Sequence, residues 1–175
     1  TKFIPEFKMH DDYVTQEITI KDLITHRAGL GLGQGDLMFF PEGGTLSVND
    51  IVHNVRYLKP EHSFRNTMDY NNIMFIVAGE VIHRVSGLSW AEFIEQRIMK
   101  PVGMTSSFGS YNRAKNAGAK NLIDAHAPVD GKAIQVPHDW NETANAAGGI
   151  MSNIKDMTIW AEFLMNGFTT KDGKK

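Results

Sequence analysis

Four times along this chain a hydroxyl or amide side chain stands three residues ahead of an acid, at the head of an apolar run with helical spacing. The pairs are Thr19 and Asp22, Ser47 and Asp50, Ser89 and Glu92, and Asn153 and Asp156. Each marks a helix start, because the side-chain oxygen takes a backbone N–H that the first helical turn leaves without a partner. A chain punctuated this way is committed to short helices packed on one another.

The runs that follow support this. Leu23 and Ile24 continue the first helix; Ile51, Val52, Val55 and Leu58 line the second, which should end before Pro60. Another helix begins near Asn71 or Asn72. Its Ile73, Phe75, Ile76, Val77, Val81, Ile82 and Val85 are apolar nearly all round, so it should be largely buried up to a cap at Gly87. Phe93, Ile94 and Ile98 carry the next as far as Pro101, and Met157, Trp160, Ala161 and Leu164 carry the last to Gly167.

Between these helices Gly29-Leu-Gly-Leu-Gly33, with Gly35, is too glycine-rich for a helix interior and reads as a loop. Asp130-Gly131 between Ala127–Val129 and Ala133–Val136 is a hairpin signal, while Tyr111 to Asn121 is polar and reads as loop. The expected fold class is mainly α, α+β at most: about five helices and one small hairpin in a single domain over residues 1–175, without a large sheet.

Composition narrows the function. Net charge is −2 with both signs interspersed, which offers nothing to nucleic acid or an anionic membrane, and no apolar run reaches the roughly 20 residues of a membrane span. The absence of cysteine excludes disulfides, thiolate catalysis and thiolate-bound zinc. Of the seven histidines (10, 26, 53, 62, 83, 126 and 138), none forms a His-x-His or a His-Glu-x-x-His pattern, so no metal and no cofactor is expected. His83 beside Glu80 suggests a surface ion pair, and His26 a C-terminal helix cap. The glycine loop follows a helix rather than a strand and lacks the Gly-x-Gly-x-x-Gly order, so it should border a cleft rather than cradle phosphate. Trp90 and Trp160 sit at packing positions; Trp140, in the Pro137-His-Asp-Trp-Asn141 loop, is a candidate cleft residue.

Several segments together resemble the serine β-lactamase and penicillin-binding-protein superfamily, in its class C and esterase-like branch. Ile18 to Leu30 is similar to that branch's ITIRDLLTHRSGL stretch. Phe64-Arg65, Tyr70-Asn71-Asn72, Ala78-Gly-Glu80 and Val85-Ser-Gly87 resemble its FR, YxN, AGE and VSG block. Ile98 to Met104 and Ala147 to Asn153 resemble its I..PLGM and AGGI.S segments. Order and spacing are shared over about Thr1 to Gly167.

The resemblance implies a helical subdomain of the β-lactamase/transpeptidase fold, with the central antiparallel sheet missing. It implies that Tyr70 takes or relays a nucleophile's proton and that Asn72 hydrogen-bonds the substrate's carbonyl side chain. The family's Ser-x-x-Lys nucleophile motif is expected upstream, and its Lys-Thr-Gly or His-x-Gly strand beyond Lys175. Ser152-Asn-Ile-Lys155 matches the first in letters but follows Gly148-Gly149 instead of opening the nucleophile helix, and reads as a chance match.

Both chain ends, Thr1 without a methionine and a lysine-rich tail, read as cut. The expectation is therefore a segment of a hydrolase acting on a β-lactam, D-alanyl peptide or small ester, inactive alone. Apolar surface that would meet the sheet should be exposed and promote self-association. The alternative is a non-catalytic helical module binding peptide or a protein partner. Bacterial export is implied by resemblance alone, and no residue here settles the compartment.

Overall fold

The computed structural model describes residues 2–40, 45–138, 141–170 and 172–173. Among them are eight helices and one antiparallel hairpin. The helices are α1 Asp12–Glu17, α2 Ile20–Ile24, α3 Val48–Asn54, α4 Asn72–Ser86, α5 Trp90–Val102, α6 Tyr111–Asn116, α7 Asn145–Gly148 and α8 Ile154–Met165. The strands are β1 Ala125–Val129 and β2 Lys132–Val136.

The four acid-spaced caps all open helices. Thr19, Ser47 and Ser89 form complete capping boxes with Asp22, Asp50 and Glu92, and Asn153 accepts the N–H of Asp156. These devices are local in sequence, so each works wherever the helix packs.

The expectation of a mainly α chain with about five helices is corrected to α+β with eight. The helices not foreseen are α1, α6 and α7, of six, six and four residues. They are too short to carry an apolar period, and caps and packing hold them instead. Asp11 accepts the N–H of Val14, and Ser110 accepts that of Arg113 and turns the polar Tyr111 segment into a helix. Ala114 is then fully buried.

Pro101 does not end α5. A π turn over Glu95–Met99 precedes it, and the α ladder restarts at Lys100. Proline thus falls in a first turn, where its missing N–H has no intrahelical partner to lose.

Helix α4 is the centre of the molecule and packs against α2, α3, α5 and α7. Ile73, Met74, Ile76 and Val77 are buried against Leu23, Leu30, Phe39, Ile51, Val52 and Val55, with Ile4, Phe7 and Met9 closing the cluster. Burial stops in the last turns, where Val85 is 65% exposed, so the all-apolar pattern overstates burial there.

The hairpin pairs Ala125 with Val136 through Val129 with Lys132. Asp130 and Gly131 both take positive φ, 48° and 74°, as a two-residue turn matched to strand twist requires. No residue of either strand is buried. Tyr111 on α6 stacks on His138 just past β2, ring centroids 3.7 Å apart.

Candidate active site

Two segments distant in sequence build the site: the loop from His26 to Asp36, and the stretch from Glu61 to Asn72 that enters α4. The N–H groups of Glu61 and His62 both donate to Gly29 O, the N–H of Arg65 to Arg27 O, and the N–H of Asp69 to His26 O. Gly29 is needed where these strands of chain cross. Its φ is 86°, and a Cβ there would stand 2.7 Å from the carbonyl oxygen of His62.

A latch holds the base of this assembly. Arg65, at φ 63°, donates from Nε to Asp22 Oδ1 and from Nη2 to Asp22 Oδ2, each at 2.9 Å, and from Nη2 to the carbonyl of Glu17. The Arg65 hydrogen bonds, joined by those from Thr19, hold the Asp22 carboxyl down to about 2.

At the top sits the turn Tyr70-Asn71-Asn72, fastened by five bonds. Tyr70 O accepts the N–H of Gly33 at 3.1 Å, and the N–H of Asn71 donates to His26 Nδ1 at 3.1 Å. Asn71 Nδ2 donates to the carbonyls of Gly31 (3.1 Å) and Gln34 (2.9 Å), and Asn72 Nδ2 donates to Asp36 Oδ2 at 2.9 Å.

Asn71, not Asn72, is the N-cap of α4; it is 1% exposed and its Oδ1 accepts the N–H of Met74. With the cap provided by its neighbour, Asn72 is free to turn outward. A carboxylate only accepts, so Asp36 fixes the flip of the Asn72 amide: Nδ2 faces Asp36, leaving Oδ1 for another donor. Burial pushes the Asp36 carboxyl up against the opposing pull of the Asn72 bond, and Asp36 Oδ1 is buried without a partner.

Tyr70 is 47% exposed, and its ring lies on His26 with centroids 4.6 Å apart. No lysine or arginine side chain bonds it among the described residues. His26 does not cap α2, which ends at Ile24 with Thr25 as its cap; it takes φ 56° and turns its ring into the site.

Other candidates fall elsewhere. Ser152 Oγ lies 2.8 Å from Ser107 Oγ, which donates to the buried Asp156 at 2.7 Å. With the Ser107 proton committed to Asp156, Ser152 is the donor to Ser107. Lys155 is exposed, and neither Ser152 nor Lys155 shares a bond or a cavity with Tyr70 among the described residues. Glu80 pairs with Arg84 rather than His83, whose Nδ1 lies 3.0 Å from Leu88 O. Trp140 lies outside the described residues. A cavity of about 600 Å³ between α4, α5 and α7, lined by Glu80, Arg84, Trp90 and Arg113, excludes the Tyr70 turn. No cluster of three or more His, Asp or Glu suited to a metal ion occurs among the described residues.

Sequence reading singled out Tyr70 and Asn72 but not Asn71, His26, Asp36 or Arg65 as their supports. The available signal was the density of Gly, Asn and His at the two segments, which marks unusual backbone without revealing partners.

Comparison with known proteins agrees with this frame. A family model described as Beta-lactamase matches residues 1–174. The unguisins hydrolase ungD′ of Aspergillus campestris (strain IBT 28561) is 31% identical over 91% of this chain, which spans 30% of that relative's length. The octameric penicillin-binding protein homologue from Pyrococcus abyssi superposes with TM-score 0.73 at 21% identity, over 95% of this chain and 38% of the other. D-amino acid amidase from Ochrobactrum anthropi SV3, solved with L-phenylalanine amide, gives TM-score 0.69 at 21% identity, over 90% of this chain and 46% of the other.

Proposed function

Because the chain belongs to the β-lactamase family, we propose that it forms one wall of the cleft of a serine acyl hydrolase. In this reading Tyr70 relays the nucleophile's proton and Asn72 hydrogen-bonds the substrate's carbonyl side chain. The substrate is a β-lactam, a D-amino-acid amide or peptide, or a small ester. The observation that carries the reading is the Tyr70-Asn71-Asn72 turn. Its first side chain is half exposed, its second is consumed by capping and loop bonds, and its third is oriented by Asp36.

The same geometry supports inactivity of the chain alone. A phenol ordinarily titrates near 10, so it accepts a proton at neutral pH only where cations stabilise the phenolate. Around Tyr70 no such cation is bonded among the described residues, and Ser152 donates its proton toward Ser107. The chain spans 30% of its fungal relative, and in our reading the nucleophile and its lysines belong to the remainder.

Apolar side chains left open on and around α8 (Ile154 84%, Met165 86% and Phe168 61% exposed) support a tendency of the isolated chain to self-associate.

The test is turnover of nitrocefin, D-phenylalanine amide and a p-nitrophenyl ester by this chain and by the product of its full reading frame. The expected result is no turnover by the chain alone, and turnover by the longer protein that falls at least a hundredfold in Tyr70→Phe. Saturable turnover by the chain alone, abolished by Tyr70→Phe, would overturn the inactivity. A longer protein indifferent to Tyr70→Phe would overturn the role of the tyrosine.

A further inference from the structure

We propose that His26 is the positioning residue of the site: its neutral imidazole, protonated on Nε2, holds the Tyr70 turn through an acceptor at Nδ1 and a tilted ring contact. The proposal rests on the reading of Tyr70 given above.

The N–H of Asn71 points at His26 Nδ1 over 3.1 Å. A backbone N–H can only donate, so Nδ1 must offer a lone pair, and the ring proton of the neutral imidazole sits on Nε2. The tautomer is fixed by the backbone of the turn itself.

The ring also works through its faces. It lies 4.6 Å from the Tyr70 ring at 37° and 4.9 Å from the Phe75 ring at 29°. The imidazole therefore stacks on Phe75 in the first turn of α4 and meets the first residue of the Tyr70 turn at a tilt. Nδ1 fixes the backbone immediately after Tyr70, and the tilted ring contact fixes the Tyr70 ring. Two constraints on successive residues determine the direction of the phenol, which neither would do alone.

The backbone at His26 serves the same end. Its φ of 56° is left-handed, a conformation that histidine, asparagine and aspartate adopt more readily than most side chains. The carbonyl of His26 accepts the N–H of Asp69, so the residue grips the entering segment on both sides of Tyr70.

The acceptor half of this role passes only to a side chain that can accept at the Nδ1 position and tolerate positive φ. Asparagine does both, because its Oδ1 falls where Nδ1 stood. Phenylalanine keeps a stacking ring without an acceptor, and glutamine reaches toward the Nε2 position instead.

The experiment has two arms. In the first, His26→Asn, His26→Gln and His26→Phe are made in this chain, and hydrogen exchange of the Asn71 amide is measured beside that of Ile76 as a control in the α4 interior. His26→Asn is expected to keep Asn71 protection within about threefold, while His26→Phe and His26→Gln lose tenfold or more with Ile76 unchanged. Nitrogen-15 shifts of the wild-type ring should report a bare Nδ1 and a protonated Nε2. In the second arm the same variants in the full reading frame are assayed. We expect kcat to fall at least tenfold in His26→Phe with KM within threefold, and to fall less in His26→Asn, which keeps the acceptor but not the ring.

A protonated Nδ1, or His26→Phe with unchanged Asn71 exchange, overturns the proposal, as does equal loss of kcat in all three variants. The exchange arm requires no turnover. If Tyr70→Phe proves harmless while the exchange pattern holds, the function assigned to Tyr70 fails and the positioning by His26 stands.

Discussion

Replacing Asn71 separates two jobs that one side chain performs. Its Oδ1 caps α4 through the N–H of Met74, and its Nδ2 holds the carbonyls of Gly31 and Gln34. Loss of a good N-cap costs about 1 kcal/mol. Removing the amide donor leaves Gln34 O without that bond, while Gly31 O keeps one from the N–H of Gln34. One carbonyl stripped of its partner and another weakened cost roughly 2 kcal/mol. Asn71→Ala should therefore lower stability by roughly 3 kcal/mol, a large share of the 5–15 kcal/mol typical of a domain.

Asn71→Asp decides the mechanism. Aspartate caps as well as asparagine does, but sets a carboxylate against two carbonyl oxygens, so it should cost as much as alanine or more. Urea unfolding followed by circular dichroism gives the answer, with an expected midpoint drop of about 1.5 M for an m of about 2 kcal/mol/M. If Asn71→Asp stayed within about 0.5 kcal/mol of wild type, capping alone would account for the residue and the loop bonds would be idle.

Two further outcomes follow from the carboxylates. The Asp22 pKa of about 2 lies below its ordinary 3.8, so its contribution is fully present above about pH 4 and disappears as pH falls toward 2. With Arg65 43% exposed, Asp22→Asn should cost about 1–2 kcal/mol at pH 7 by thermal melting, and the gap should close by about pH 2. Asp36 has the opposite sign: its pKa is raised, so the fold disfavours its ionised form, and stability from this group grows as pH falls through the folded value. Asp36→Asn, which can still accept from Asn72, should be at least as stable as wild type at pH 7; a clear loss in urea unfolding would contradict the burial argument.

What the sequence made legible was what is decided within a few residues. Thr19, Ser47, Ser89 and Asn153 cap as read because cap and helix lie within one turn of each other, and Asp130-Gly131 makes its turn because positive φ is a property of those two positions. Helices α1 and α6 escaped because six residues hold too little apolar pattern to announce themselves. Pro101 misled because a π turn two residues earlier resets the ladder. In the site, Tyr70 and Asn72 came from a resemblance, whereas His26 and Asp36 find their partners across dozens of residues, a distance over which spacing carries no information.

That span has a consequence for how the molecule comes into being. Each side-chain bond from the Tyr70-Asn71-Asn72 turn to the glycine loop joins residues 36 to 45 positions apart. Such contacts repay their loop-closure entropy only after both segments exist and have met. On a ribosome the glycine loop emerges first and must wait, unanchored, until residue 72 has cleared the exit tunnel and α4 can wind. The Tyr70-Asn71-Asn72 turn is thus a late product of synthesis, and a nascent chain stalled before it exposes an apolar α3 face that a chaperone would meet first.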